Sequence, residues 1–218
     1  NLGTKQIARI VIEKKGESRE RIFKTLGKYI PKSGYEPANK NIKVVTVGCG
    51  PGHDAVALNS YFGNKNKCGA ISPNVEVFGI DINQAAIQSA IMDYKKDAAS
   101  IQKQGDIFPQ FHFICDDARN MPAKVSKDID VVMMKHQNML GNPPIWQEIV
   151  HKSYDLLRNG GIMMFTSLTK EEHVFLEKFI KSQGYEITVN EKNVFGKKYF
   201  EDFNSPIQDG YILIVKKS

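Results

Sequence analysis

The sequence is poor in cysteine and has no long apolar segment. Its three cysteines, Cys49, Cys68 and Cys115, are widely spaced and form no C-x-x-C pair, so neither a disulfide framework nor a zinc site is indicated. No apolar run approaches the roughly 18 residues that a membrane-spanning helix needs, and there is no internal repeat or low-complexity segment. These absences exclude membrane-spanning, disulfide-stapled and disordered proteins, and they favour the reducing cytoplasm.

The length and composition are those of one globular domain. Of the 218 residues, 41% are hydrophobic and 25% are charged, which is enough apolar material for a sizeable core. We expect residues 1–40 to form a helical cap that is part of the same domain, and residues 41–218 to form the ligand-binding portion. The chain starts at Asn1 without a methionine and shows no apolar signal segment there, so we expect a trimmed chain.

The positive charge is concentrated at the start of the chain. The net charge is +6, and the first 32 residues hold nine basic and three acidic side chains, a difference of 9 − 3 = +6. Such a segment can bind nucleic acid or another anionic partner through phosphate contacts. We favour the simpler interpretation of a solvated helix face, because charge runs usually are one.

Short apolar runs alternate with helical patterns after residue 40, which is typical of strand-helix-strand units around a parallel sheet. Buried strands are predicted at residues 43–47, 75–80, 111–115, 129–134 and 161–166. Helices are predicted over residues 87–101, from 143 to an Asn159–Gly161 stop, and over 170–183, with Asn83 and Asn142 as N-caps and Gly105 and Gly184 as stops. Two final runs, 185–189 and 210–215, should pair antiparallel. The predicted fold class is α/β, a seven-stranded, mostly parallel sheet with helices on both faces and an N-terminal cap whose apolar face carries Ile22, Phe23, Leu26 and Ile30.

The loop after the first strand carries Gly48, Gly50 and Gly52. Glycines at such a turn let the backbone fold sharply and approach a ligand closely, so we expect a nucleotide cofactor here. The dinucleotide fingerprint G-x-G-x-x-G needs its third glycine one residue later, where His53 stands. A G-x-x-x-x-G-K-[ST] phosphate loop is also absent from the sequence, so strong pyrophosphate binding is not predicted.

Acidic residues follow the second and third strands. Asp81 is placed to accept hydrogen bonds from both ribose hydroxyls. Asp116 or Asp117 can accept one from an adenine amino group; a one-residue slip at a strand end leaves both open, and we favour Asp117. Two acids without a phosphate motif suit an adenosine that lacks phosphates, as S-adenosylmethionine does, although NAD would use Asp81 as well.

These motifs, in this order, resemble those of the class I S-adenosylmethionine-dependent methyltransferase family from about residue 40 to 216. The resemblance rests on four segments, Val44–Gly52, Val77–Asn83, Asp117–Pro122 and Leu156–Gly161, and on the final antiparallel pair. It implies a Rossmann-like fold and S-adenosyl-L-methionine as the cofactor, but not the methyl acceptor. The cofactor-binding residues that it implies are Gly48, Cys49, Gly50, Gly52, Asp81, Ile82, Asp116, Asp117, Ala118, Met134 and Lys135.

A general base is optional for this reaction, because positioning two ligands supplies most of the catalytic benefit. His136, just past the fourth strand, is our first candidate for a catalytic base, and His53 and Asp54 are the second. A polar loop side chain without a catalytic part is as good an interpretation of either histidine. For Lys135, a role beside the methyl group and a solvent-facing loop position are equally open.

The acceptor should be bound by the cap, with Tyr29 and Tyr35, and by the excursion over residues 195–209. The Asn142–Ile145 segment looks like the Asn-Pro-Pro-aromatic motif of nucleobase amino methyltransferases. It comes seven residues beyond Lys135 and ends in isoleucine, so a capped helix start explains it better. A small-molecule acceptor is our first hypothesis, and RNA or protein methylation through the basic N-terminal face is the second. A non-catalytic cofactor-binding subunit is the third, and a nicotinamide oxidoreductase is the weakest.

Overall fold

A seven-stranded sheet forms the centre of the computed structural model, which describes residues 4–37, 41–63, 74–101, 110–135, 137–198 and 207–218. The strands are β1 Asn41–Val47, β2 Asn74–Asp81, β3 Gln110–Cys115, β4 Ile129–Lys135, β5 Leu157–Ser167, β6 Glu186–Lys192, β7 Lys197–Lys198, β8 Ile207–Gln208 and β9 Tyr211–Lys216. The sheet order is β3-β2-β1-β4-β5-β9-β6, and β7 pairs with β8 separately. Within the sheet β9 runs antiparallel to both neighbours and the other pairs are parallel, which confirms the predicted fold class.

Helices cover both faces of this sheet. They are α1 Thr4–Lys32, α2 His53–Phe62, α3 Gln84–Ile101, α4 Met121–Lys124, α5 Pro143–Leu156 and α6 Lys170–Ser182, with a 3-10 turn at Ala118–Asn120. The predicted helices α3, α5 and α6 are confirmed to within a few residues, whereas the Gly105 stop lies outside the described residues. None of the described helices is both long and apolar enough to cross a membrane.

Alternate residues of the central strands build two apolar cores. Val44 and Val131 pack in one core with α1 and α2, and Val45 and Val132 pack in the other with α5 and α6. Strands buried on both faces read as nearly continuous apolar runs, which is why they stand out in the sequence. Helix α1 buries Ile22, Leu26 and Ile30, as its pattern predicts, so it packs into the same core as α2 and the sheet.

The Gly-Gly pair ahead of the fifth strand does not stop a helix. Helix α5 ends at Leu156, and β5 begins at once and runs through the predicted stop. The register of β4 against β5 shifts between Ile129 and Val131. Gly161 faces that shift, where an added Cβ would lie 2.9 Å from the carbonyl oxygen of Ile129. The pair therefore forms an irregularity inside a strand, because only glycine fits so close to the neighbouring backbone.

The two predicted asparagine caps differ. The Asn83 side chain accepts a hydrogen bond from the amide of Ala86 at 3.2 Å, as a helix cap does. Asn142 occupies the N-cap position of α5 but makes no capping bond with its side chain. The start of α5 therefore rests on the proline at its first position, which fixes φ before the helix begins.

Candidate functional site

The carboxyl ends of β1, β2 and β4 meet where the strand order reverses, between β1 and β4. In open parallel sheets ligands bind at this point. The glycine loop begins there and is tied to β2, because the amides of Gly48 and Cys49 both donate to the carbonyl oxygen of Ile80, at 2.8 and 3.1 Å. The loop leads directly into the N-terminus of α2.

The three loop glycines have left-handed φ values of 64°, 52° and 77° and different surroundings. A Cβ on Gly48 would lie 2.5 Å from the side-chain nitrogen of Gln137, and a Cβ on Gly52 would lie 3.0 Å from both Ala90 and Phe113. A Cβ on Gly50 would meet no atom of the described residues within 4 Å. Packing therefore requires glycine at the first and third positions, and Gly50 faces the open cleft.

Asp81 lies at the mouth of this cleft, beside Gly50. Its carboxylate accepts hydrogen bonds from the amide of Gly50 at 2.7 Å and from the amide of Asn83 at 2.8 Å. The next residue, Ile82, leaves 75% of its surface exposed although it is a large apolar side chain. An exposed isoleucine beside a fixed carboxylate offers an apolar face and a hydrogen-bond acceptor to one ligand.

The two acidic residues after β3 have different partners. Asp117 caps the 3-10 turn by accepting the amide of Arg119 at 2.8 Å, and both of its oxygens also receive the Arg119 guanidinium. Asp116 accepts from the Asn120 side chain at 2.9 Å and from the amide of Asp117 at 2.8 Å, both on the same oxygen. Among the described residues, the partner of its other oxygen is Lys124, at 3.6 Å. These bonds, from Asn120 to Asp116 and from Arg119 to Asp117, lower the pKa of each carboxyl below its ordinary value.

Lys135, at the end of β4, is largely buried and paired rather than exposed in a loop. Its ammonium lies 2.5 Å from a carboxylate oxygen of Asp54 in the first turn of α2, with 15% and 4% of the two side chains exposed. Burial lowers the pKa of Lys135, but the carboxylates of Asp54 and Asp209 outweigh it, so the net shift is upward. Lys135 is therefore a fixed cation at neutral pH.

A second buried pair lies at the neighbouring strand ends, and the sequence gives no indication of it. Asp209 accepts the side-chain nitrogen Nε of Arg21 at 2.9 Å and the hydroxyl of Thr166 at 2.7 Å. These residues come from α1, β5 and the turn before β9. Because they are far apart in the chain, no motif could have found them.

Gln137 is a further residue that the motifs miss. Its side-chain nitrogen donates to the carbonyl oxygens of Val47 at 2.7 Å and Lys135 at 3.0 Å, which joins the ends of β1 and β4. The predicted base His136 lies outside the described residues, and the side chain of His53 lies outside them as well.

Cys49 and Met134 contribute buried side chains. Cys49 is 4% exposed, and burial, with the nearby charges of Asp81 and Asp54, raises the pKa of its thiol to about 12. The thiol therefore fills space beside Gly79 and is not a nucleophile. Met134 is 1% exposed, in the core beneath α5 and α6.

The prediction that Tyr35 contacts an acceptor is wrong. Tyr35 is buried at the amino end of the sheet, where its hydroxyl donates to Asp130 at 3.2 Å. Tyr29 is fully buried, and its hydroxyl donates to the carbonyl oxygen of Lys192 at 3.1 Å and accepts the amide of Val194 at 3.2 Å. Both tyrosines anchor α1 to the sheet because their rings complete the core.

The geometry of the cleft suits a ligand that contains adenosine. It combines an open side at Gly50, a carboxylate held by two amides at Asp81, an exposed apolar side chain at Ile82 and an acidic turn after β3. Within the described residues, no group of three or more His, Cys, Asp or Glu side chains is arranged to hold a metal ion.

Comparison with known proteins agrees with this geometry. Residues 38–205 match a family model described as a methyltransferase domain, whereas the curated proteins contain no match to the sequence. Among solved structures the chain is similar to an rRNA methylase from Streptococcus thermophilus, with 15% identity, coverage of 92% of this chain and 93% of that chain, and a TM-score of 0.55. It is also similar to an S-adenosylmethionine-dependent methyltransferase from Clostridium acetobutylicum, with 11% identity, coverage of 91% and 92%, and a TM-score of 0.61. A third is magnesium protoporphyrin IX methyltransferase from Synechocystis, solved with bound SAM, with 13% identity, coverage of 93% and 81%, and a TM-score of 0.58. At such low identities these likenesses establish the fold.

Proposed function

This chain belongs to the methyltransferase domain family, and from that premise we propose that it transfers the methyl group of S-adenosylmethionine to a small-molecule acceptor by in-line displacement. The observation that carries the proposal is the bond between the Asp81 carboxylate and the amide of Gly50. It locks a glycine loop open at the carboxyl ends of β1 and β2. When bound, S-adenosylmethionine supplies an activated methyl group on a sulfonium sulfur.

The residues of the cleft divide the recognition of this cofactor. Asp81 accepts the ribose hydroxyls, Ile82 packs on the adenine face, and the acidic turn at Asp116–Ala118 reads the adenine edge. Because both oxygens of Asp117 already receive Arg119, the less engaged oxygen of Asp116 is better placed to accept the adenine amino group. The loop from Gly48 to Gly52, with Cys49 filling the space beneath it, lies along the remainder of the cofactor.

An ion pair lies at the strand ends opposite the glycine loop. Met134 contributes backbone here, and Lys135 stays protonated and paired with Asp54, so the two charges cancel where a sulfonium must bind. Lys135 is then not a free base, because removing its proton breaks the pair with Asp54. His136 remains the candidate for any base that the acceptor needs.

The pairing of basic residues of α1 with acidic side chains favours a small acceptor. In the part of α1 whose side chains are described, Lys24 pairs with Glu20 and Lys32 with Glu191 on the surface, and Arg21 is buried against Asp209, where the backbone of a nucleic acid does not reach it. Cations that already have acidic partners release fewer counterions on binding phosphates, so they add less affinity for nucleic acid.

RNA methylation is the second candidate, because the first 32 residues carry an excess of six positive charges. A methyltransferase that binds RNA through this segment should lose affinity steeply as salt rises, since phosphate contacts depend on counterion release. A small-molecule enzyme should show a weak salt dependence of its apparent affinity for the acceptor.

Transfer of a labelled methyl group tests the proposal. The protein and labelled S-adenosylmethionine are incubated with the low-molecular-mass fraction of a cell extract, with its RNA and with its protein. We expect label in a small product from the first fraction and none in the other two. Label in RNA or protein alone would replace the proposal with the second candidate. Cofactor binding with no transfer to any fraction would indicate a non-catalytic subunit.

A further inference from the structure

A small pocket lies between α1 and the turn that follows β6. Its volume is about 320 Å³, and it is lined by Glu17, Glu20, Arg21, Lys24, Phe195 and Gly196. This volume is at the lower end of the roughly 300–1,000 Å³ range of small-molecule sites. None of these lining residues belongs to the glycine loop or to the strand ends that form the cofactor cleft.

The pocket has a buried cation with an unused donor. The Arg21 side chain is 8% exposed, and its Nε donates to Asp209. Its Nη2 atom is buried and has no hydrogen-bond partner among the described residues. A buried charged donor without an acceptor is unfavourable. Arg21 lines the pocket, so a small movement of its guanidinium toward the pocket would let an oxygen of a bound ligand accept a hydrogen bond from Nη2.

The wall opposite α1 is held in place by Asn193. This residue is buried, its amide donates to the carbonyl oxygen of Gly210 at 2.9 Å, and its side chain donates to Thr25 of α1 at 3.4 Å. The amide of Gly196 donates back to the carbonyl oxygen of Asn193 at 3.1 Å. The pocket is therefore preformed, and the half-buried ring of Phe195 gives it an apolar face.

The charged side chains of the pocket differ in exposure, with exposed ones at its rim and one buried cation. Glu20 and Lys24 form an ion pair of 2.7 Å with 65% and 55% of their side chains exposed, so they lie at the rim. Glu17 is also exposed, and Lys28 lies 6.0 Å from the Phe195 ring. The buried charge is Arg21, which favours a ligand whose anionic end points inward.

The pocket is linked to the edge of the sheet where transfer takes place. Asp209, which holds Arg21, also accepts the hydroxyl of Thr166 at the carboxyl end of β5. Its charge contributes to raising the pKa of Lys135 at the end of β4. A ligand on Arg21 therefore lies close to the strand ends that we assign to the methyl-donor side.

We propose that this pocket binds the methyl acceptor by an oxyanion, a carboxylate or a phosphate, on Nη2 of Arg21, with a flat apolar body against Phe195. The inference rests on the proposed function, since it names the class of acceptor for the same reaction. Arginine suits this role because its guanidinium presents several donors in one plane and keeps its charge when buried.

Ligand-observed NMR titrations test this binding on the protein alone and on the protein saturated with S-adenosylhomocysteine. The probes are benzoate, phenyl phosphate and uncharged benzamide, which share one ring and differ in charge. We expect at least one anion to bind saturably and at least tenfold more tightly than benzamide. Comparing the two anions distinguishes a carboxylate site from a phosphate site.

Three variants locate the site. Arg21→Lys keeps a cation beside Asp209 but removes the second nitrogen, and it should weaken anion binding at least fivefold. Phe195→Ala and Lys24→Gln leave the buried pair of Arg21 and Asp209 intact. They should therefore fold and weaken anion binding, and they test the site even if Arg21→Lys does not fold. Lys32→Gln, which removes the same charge at the far end of α1, is the matched control and should bind as the wild type does.

Three results would overturn the inference. They are equal binding of benzamide and the anions, unchanged binding in all three pocket variants, and loss of anion binding on adding S-adenosylhomocysteine. The last result would mean that Arg21 holds the carboxylate of the cofactor rather than the acceptor. Failure of the proposed function is a separate result, because it is measured by the labelled-methyl assay, in which no label would then appear in a small product.

Discussion

Replacing Lys135 by methionine should destabilise the protein strongly, because it leaves the Asp54 carboxylate buried without its partner. Asp54 is 4% exposed and Lys135 is 15% exposed. Removing one partner of a buried pair costs about 3–5 kcal/mol of unfolding free energy. Asp54 lies in the first turn of α2, where the helix N-terminus favours a negative charge, so we expect the lower end, about 3 kcal/mol. For a chain of this size that is a fall in melting temperature of roughly 6–12 °C.

Urea denaturation at pH 7 and thermal melting followed by circular dichroism measure this loss. Lys181→Met is the matched control, because its pair with Glu177 lies on an exposed face of α6, with 64% of the lysine exposed. Exposed pairs contribute about 0.5 kcal/mol or less. The double variant Lys135→Met/Asp54→Asn removes both charges of the pair. Its loss of unfolding free energy should therefore be about 2 kcal/mol smaller than the sum of the losses in Lys135→Met and Asp54→Asn.

The pH dependence has a definite sign. The pKa of Lys135 is raised in the folded protein, so its contribution is fully present below the pKa of an unfolded lysine, about 10.4, and is lost as pH rises through the higher folded value. The stability difference between wild type and Lys135→Met should therefore be constant from neutral pH to about pH 10 and shrink above it. A loss below about 1 kcal/mol at pH 7, or one equal to that of Lys181→Met, would refute the buried pair.

Three further predictions concern the loop, the thiols and a helix cap. Gly50 and Gly52 both have a left-handed φ, so an alanine at either position costs about 1–2 kcal/mol of unfolding stability. Gly50→Ala should lose only that much stability and weaken cofactor binding, since its Cβ enters the open cleft, whereas Gly52→Ala should lose about 1–3 kcal/mol more because its Cβ meets packed side chains; thermal melts with cofactor titrations separate the two, and the reverse pattern would contradict this description of the loop. Native protein at pH 8 should react with a thiol reagent at the exposed Cys115 but not at Cys49, whose pKa is raised to about 12; fast labelling of Cys49, located by mass spectrometry, would show that its burial is wrong. Thr169→Ala should cost about 1 kcal/mol in urea denaturation, because the Thr169 hydroxyl caps α6 by accepting the amide of Glu172 at 3.1 Å, and no change would mean that this cap is not formed in solution.

Local patterns were sufficient to predict the sheet and part of the site. The central strands are buried on both faces, so their apolar runs are visible in the sequence. Gly50 and Asp81 follow directly after two such strands, and the sheet brings them within 2.7 Å of each other. A site residue at a strand end can be predicted in this way because the strand itself fixes its position.

Helix α2 could not be predicted because it has no polar face. It packs between α1 and the sheet, and most of its residues, including Ala55, Leu58 and Phe62, are buried. Hydrophobic periodicity requires one solvated side, and a helix covered on both sides does not show it.

The charged pairs at the strand ends could not be predicted either. Lys135 and Asp54 are 81 residues apart in the chain, and Arg21 and Asp209 are 188 apart. Their meeting depends on the order of the strands and on the path of α1 across α2. The sequence therefore indicated a cofactor cleft but not the buried charges on its acceptor side.

Calorimetric titration with S-adenosylmethionine, S-adenosylhomocysteine and NAD, on wild type and Asp81→Ala, is the most direct test of the cofactor assignment. We expect micromolar binding of the first two by the wild type and at least a tenfold loss in the variant, about 1.4 kcal/mol or more. A melting curve of the variant confirms that it is folded. Binding of NAD alone, or of none of the three, would contradict the assignment of the Gly50–Asp81 cleft to S-adenosylmethionine.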